Sequence, residues 1–142
     1  MKFIEDSVRV RVRFSESDAM GVVWHGNYLK FFEDGRESLG EKFGMSYLDM
    51  YAQGLVVPIV GVNVNYKSPV HFGEEVEVRI KLIYTRAAKI VHHYEIWNMT
   101  TNKLSCVGQT DQVFLNEKTR SLELFYPAFY LEWFDKLNWQ EG

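Results

Sequence analysis

Between residues 28 and 43 apolar side chains recur every third or fourth position, whereas in most of the remaining chain they recur every second. Tyr28, Phe32, Gly35, Leu39 and Phe43 fall on one helical face, and Lys30, Glu33, Asp34, Glu37 and Glu41 on the opposite one. This pattern predicts a single amphipathic helix of about 16–18 residues, opened by Gly26-Asn27 and stopped by Gly44. A long helix with one apolar stripe has to be covered, and with no second long helix available the cover must be a sheet. Gly35 sits on that stripe and costs about 1 kcal/mol of helix propensity relative to Ala, which predicts close approach of helix and sheet there.

The cover is legible on both sides of the helix. Val8, Val10, Val12 and Phe14 alternate with Arg9, Arg11 and Arg13, the signature of a half-buried strand. Val60, Val62, Val64 and Tyr66 alternate with Gly61, Asn63 and Asn65, and Val76 to Tyr84 alternate with Glu77, Arg79 and Lys81. Residues 89–98 and 104–115 are rich in strand formers, and turn signals such as Ser68-Pro69, Phe72-Gly73 and Thr100-Thr101-Asn102 separate the runs. Met45 to Gly54 reads as a loop, and Pro127 opens a short terminal helix with Tyr130, Trp133, Phe134 and Leu137 on one face. Short connections imply antiparallel pairing. The expected fold is α+β: one domain over residues 1–142, an antiparallel sheet wrapped around a long central helix, with a short C-terminal helix.

Composition narrows the function. A net charge of −3, from 16 Lys and Arg against 19 Asp and Glu, supplies no global field for nucleic acid, so the Arg9, Arg11 and Arg13 stripe reads as a solvated or dimer-facing strand surface. The single cysteine, Cys106, excludes an intramolecular disulfide and a multi-cysteine metal site. Neither Met1 to Asp6 nor any later stretch has the apolar run of a signal peptide or a membrane span, so a cytoplasmic chain without membrane insertion is expected.

The chemistry concentrates between the first strand and the helix, in Ser15-Glu16-Ser17-Asp18-Ala19-Met20-Gly21-Val22-Val23-Trp24-His25-Gly26-Asn27-Tyr28. A helix N-terminus exposes unsatisfied N–H groups and about half a positive charge, and so stabilises an oxyanion developing on a carbonyl. Asp18 has two readings on this pattern: a turn or cap residue, or the base or nucleophile facing such a carbonyl.

The run from Asp18 to Tyr28, followed by Phe31-Phe32-Glu33 and Arg36, resembles the signature of the 4-hydroxybenzoyl-CoA thioesterase family, and most closely its short bacterial, Tol–Pal-associated subgroup. Val60 to Pro69 is similar to the family's long central strand, Thr85 to Lys89 to its basic turn, and Leu124 to Phe134 to its terminal helix. The resemblance implies the hotdog fold, a homodimer or homotetramer with sites at the subunit interface, and hydrolysis of acyl-CoA without cofactor or metal. It further implies Asp18 as the catalytic carboxylate and His25 as the residue whose backbone N–H polarises the carbonyl. Gly26 and Tyr28 then belong to the substrate site, and Arg86 and Lys89 to the coenzyme A phosphates. Relatives often carry Ser in the basic turn, where this chain has Ala87-Ala88. An acyl-carrier-protein thioesterase and a non-catalytic acyl-CoA-binding protein are the alternatives on the same fold.

Other candidates read as structural. Adjacent His92 and His93 point to opposite faces of a strand and cannot share one metal. Ser17, Asp18 and His25 are too close in sequence for a hydrolase triad, whose members come from distant segments. Nothing nearby in sequence lowers the Cys106 pKa, and Glu33 falls on the solvated helix face.

Overall fold

The change of period marks the helix as expected: α1 runs Tyr28–Phe43 and ends where Gly44 adopts φ 79°, a left-handed stop. The computed structural model describes residues 1–142. In chain order β1 (Lys2–Arg11) precedes α1, and α2 (Tyr47–Ala52), β2 (Leu55–Val56) and β3 (Ile59–Tyr66) follow it. Then come β4 (Glu75–Ile83), β5 (Lys89–Asn98), β6 (Lys103–Val113), β7 (Leu115–Asn116), α3 (Ala128–Asp135) and β8 (Gln140–Glu141). A six-stranded antiparallel sheet has the order β3-β6-β5-β4-β1-β8, and β2 and β7 form a separate small ribbon.

Helix α1 crosses the inner face of this sheet, giving the hotdog arrangement. Phe31 and Phe32 are fully buried among Val78, Ile80, Ile96 and Cys106. A Cβ on Gly35 would stand 3.1 Å from Val78 Cγ1 and 3.5 Å from Ile80 Cβ, so the glycine on the stripe is what lets the helix backbone approach β4. The terminal helix buries Tyr130 and Phe134 against Phe114, Tyr84 and Tyr126.

Three local features differ from the sequence reading. Met45 to Gly54 contains α2, which starts at a reciprocal cap: Asp49 N–H donates to Ser46 Oγ (3.1 Å) and Ser46 N–H to Asp49 Oδ2 (2.9 Å). Strand β1 begins at Lys2 and ends at Arg11, because Val12 turns inward to bond Glu74 through its backbone while Phe14 opens a 3-10 turn. The alternation in β3 does not bury one face: Val60 is 63% and Val62 48% exposed, since β3 is a sheet edge. The strand arginine Arg9 is paired on the outer face with Glu75 (3.0 Å) and Glu77 (3.2 Å), which removes a free basic stripe.

In β5, His92 points into the core and His93 outward, as their adjacency required. Burial, aided by the positive charges of Arg36 and His93, holds the His92 imidazole down to about 3. In the unfolded chain it titrates near 6.5, so below that pH the unfolded state binds a proton that the folded state refuses. This contribution is complete above about pH 6.5 and is lost as pH falls toward about 3, by up to ~1.4 kcal/mol per pH unit. Urea midpoints at pH 7, 6 and 5 should fall more steeply for the wild-type chain than for His92→Gln; parallel slopes would assign the acid sensitivity elsewhere.

Candidate active site

Residues 17–23 form a tight hairpin that projects Asp18. Ser17 and Val23 face each other across an isolated bridge, Asp18 N–H donates to the Val22 carbonyl (2.8 Å), and Gly21 closes the turn with φ 78°. Asp18 Oδ1 accepts the Met20 N–H (2.8 Å), and no protein group bonds the other carboxylate oxygen. The carboxylate is solvent-exposed. Thus Asp18 holds the turn with one oxygen and presents the second.

The base of the hairpin is tied to the start of α1. The Glu16 carbonyl accepts both the Trp24 N–H (3.0 Å) and Asn27 Nδ2 (2.9 Å). Glu16 is itself 1% exposed; its carboxylate accepts the Arg13 N–H (2.7 Å) and lies 3.6 Å from Arg13 Nη2 and 3.8 Å from Lys30 Nζ. A buried carboxylate is stable only when so paired. Its clamp fixes where the helix begins relative to Asp18.

His25 to Asn27 make one 3-10 turn leading into α1. The first hydrogen-bonded N–H of that turn is that of Asn27, to the Trp24 carbonyl (2.8 Å). The His25 and Gly26 N–H groups precede it and have no acceptor within the protein. At Gly26 any side chain would overlap the Trp24 ring, which packs over it. The His25 ring is exposed, tilted against Trp24 at 4.9 Å, and its carbonyl accepts the Tyr66 hydroxyl (2.9 Å). Tyr28 is buried with its ring edge toward Tyr66 (5.3 Å). Burial, with lesser contributions from Cys106 and Tyr66, pushes the Tyr28 hydroxyl up to about 12, so it stays protonated.

The structure therefore groups Asp18, His25, Gly26 and Tyr28 at one end of the sheet. Arg86 and Lys89 follow β4, whose first residues pair with the end of β1, so nine strand residues separate them from the Asp18 hairpin, about 27 Å. Arg86 Nη1 meets Asp135 Oδ1 at 3.0 Å on the surface. Within one protomer these groups do not converge. Glu16 and Tyr66 belong to this site although the sequence does not mark them. Asn27 carried a signal as the helix boundary, but the others owe their place to contacts 11 and 41 residues away. Cys106 is fully buried and its thiol is pushed up to about 12 by burial, which excludes a thiolate nucleophile.

The sequence profile of the thioesterase-like superfamily matches residues 12–137. The chain is 33% identical over 120 residues to YneP of Bacillus subtilis (strain 168), a candidate acyl-CoA thioesterase by name, spanning 84% of this chain and 86% of YneP. It is 30% identical over 90 residues to the acyl-CoA thioesterase YbgC of Helicobacter pylori (strain ATCC 700392 / 26695), spanning 63% and 65% of the two chains. The solved DHNA-CoA thioesterase from Staphylococcus aureus superposes with a TM-score of 0.83 at 33% identity, over 93% of this chain and 89% of that one.

Proposed function

Because the chain belongs to the thioesterase-like superfamily, we propose that it hydrolyses acyl-coenzyme A to the free acid and coenzyme A, with Asp18 and the start of α1 as the reacting groups. What supports the assignment is the pair of acceptor-free N–H groups of His25 and Gly26 at the start of α1, together with a carboxylate with one unbonded oxygen on the hairpin that leads into it. A thioester carbonyl oxygen seated on those N–H groups gains charge as the carbon is attacked, and the helix start stabilises that charge. Asp18 acts either by taking a proton from the attacking water or by attacking the carbon itself, giving an anhydride that water then opens. In both routes the acyl carbon–sulfur bond breaks, and the coenzyme A thiolate leaves and is protonated. Neither route needs a metal or redox partner. Free-thiol release from a panel of acyl-CoA substrates tests the reading, with acyl carrier protein thioesters as the comparison; turnover of the carrier substrates alone would replace it.

The exposed β3 edge supports a homo-oligomer. Ile59, Val60, Val62 and Tyr66 are all exposed on a strand whose outer backbone groups are unpaired, a surface that invites another strand. Antiparallel self-pairing there follows two-fold symmetry. It would lay the partner's early β3 residues beside this chain's Tyr66 and His25, completing the acyl site. Light scattering should give two or four times the 16.7 kDa chain mass; a stable monomer at micromolar concentration would remove the shared site.

Arg86 and Lys89 complete the proposal as contacts for the coenzyme A phosphates. Given their distance from Asp18 in one protomer, they would serve a site on a neighbouring subunit. The Arg86–Asp135 pair is solvent-exposed, so it is weak and does not oppose that use. Arg86→Ala should raise KM for acyl-CoA several-fold at nearly constant kcat, because phosphates remote from the carbonyl are bound equally in ground and transition states. Hydrolysis of a short thioester lacking the nucleotide should not change; equal loss on both substrates would return Arg86 to a structural role.

A further inference from the structure

A cavity of about 240 Å³ is lined by the C-terminal half of α1, by α2 and α3, and by the sheet at β4, β5 and β6. Its distinguishing group is Arg36, eight residues beyond Tyr28 and so about 12 Å along the helix from the candidate active site. The stacked pair Phe32 and Tyr94 (4.1 Å between centroids, 12° between planes) separates the two regions. Arg36 donates through Nε to the Tyr47 hydroxyl (2.7 Å) and through Nη1 to the Tyr94 hydroxyl (3.0 Å), and it takes part in none of the protein's ion pairs. A partly buried guanidinium without a carboxylate is unusual, since buried cations are almost always paired.

The surroundings are also short of polar partners. Gln112 is 2% exposed, with Nε2 held by the Val57 carbonyl (2.8 Å) and the Tyr47 hydroxyl (3.1 Å), and its Oε1 has no donor. His92 Nδ1 likewise has no partner. The rest of the lining is largely apolar, including Leu39, Met45, Met50 and Ile90. Two carboxylates, Glu37 and Glu41, stand on the exposed side and repel a multiply charged anion.

We propose that this cavity is a second ligand site, which takes a small amphipathic monocarboxylate with its carboxylate on Arg36 and its apolar body among Leu39, Met45, Met50 and Ile90. A carboxylate matches the free edge of the guanidinium, and the lining matches an aryl or short alkyl body. The site stands apart from Asp18, so the proposal does not depend on the thioesterase assignment.

The test titrates benzoate into the full chain at pH 7 and follows it by calorimetry and by NMR. Benzamide, of the same shape without the charge, is the control. Benzoate should bind at least tenfold more tightly than benzamide, with intermolecular NOEs to the methyl groups of Met45, Met50 and Ile90. Arg36→Met should reduce benzoate affinity at least tenfold, and Asp18→Asn should leave it unchanged. Arg36 also ties α2 to the sheet, and should the methionine variant not fold, the NOE pattern and the benzamide ratio decide alone. Equal binding of benzoate and benzamide, NOEs confined to Trp24, Tyr28 or Tyr66, or no binding of either benzoate or hexanoate at millimolar concentration would overturn the proposal. Titrating hexanoate as well shows which body the cavity prefers; binding of either acid with NOEs to those methyls supports the site, and failure of both overturns it.

Discussion

Asp18→Asn should give a folded oligomer whose kcat for acyl-CoA hydrolysis is lower by at least about 10²-fold, the low end for losing a general base. The substitution is chosen because the two duties of Asp18 are separable. Its Oδ1 accepts the Met20 N–H across the turn, and the amide oxygen of Asn can accept the same bond, so the hairpin and its φ 78° glycine should survive. What Asn cannot do is accept a proton from water or attack a carbon as an anion. Alanine would confuse the two losses. KM should change little, since the acyl and nucleotide contacts are untouched. Thiol release and a thermal melt on the same sample check both halves. Near-wild-type turnover by a folded variant would remove Asp18 from the chemistry, and the two sequence readings of this residue would resolve in favour of the turn.

Phe32→Ala should be strongly destabilising, at about 3–5 kcal/mol. Phe32 is 0% exposed, stacks on Tyr94, and projects from α1 toward β6. There it meets Gly108: a Cβ on that glycine would stand 2.5 Å from Phe32 Cζ and 3.0 Å from the Asn63 carbonyl oxygen. The ring thus fills space that β6 leaves open by lacking a side chain. Deleting it removes its transfer free energy and leaves a cavity between helix and sheet that a rigid strand cannot close. The melting temperature should fall by on the order of 10 °C, judged from 2–4 °C per kcal/mol for chains of about this size. The pair can be interrogated by a double-mutant cycle. Gly108→Ala should be costly in the wild-type chain and much milder in Phe32→Ala, because the overlapping ring is gone; additive effects would show that the two positions do not share this space.

Local physics made much of this protein legible in its sequence. Helix α1 was visible because its apolar stripe, its Asn27 start and its Gly44 stop all lie within a few residues of one another. Strand β4 was visible because one buried face imposes strict alternation, and β5 because its run of strand formers lies between turn signals. Gly35 announced a close approach because a helix tolerates glycine poorly without a steric reason. The eleven residues from Asp18 to Tyr28 carried the candidate chemistry and the family resemblance together.

Tertiary structure decided what local pattern could not encode. Helix α2 had a signal in Ser46 and Asp49, but six residues make a marginal helix until packing holds them. The β3 alternation looked like any half-buried strand, and only its place at the sheet edge left Val60 and Val62 exposed. Arg36 belongs to the run that carries the family resemblance, but its phenol partners, at positions 47 and 94, are brought to it only by folding. The distance between Arg86 and Asp18 likewise follows from the antiparallel register of β1 and β4, which sends the two segments to opposite ends of the sheet. Periodicity reports which face of an element is buried. Register and strand order, set by the packing energy of the whole sheet, determine which residues share that burial.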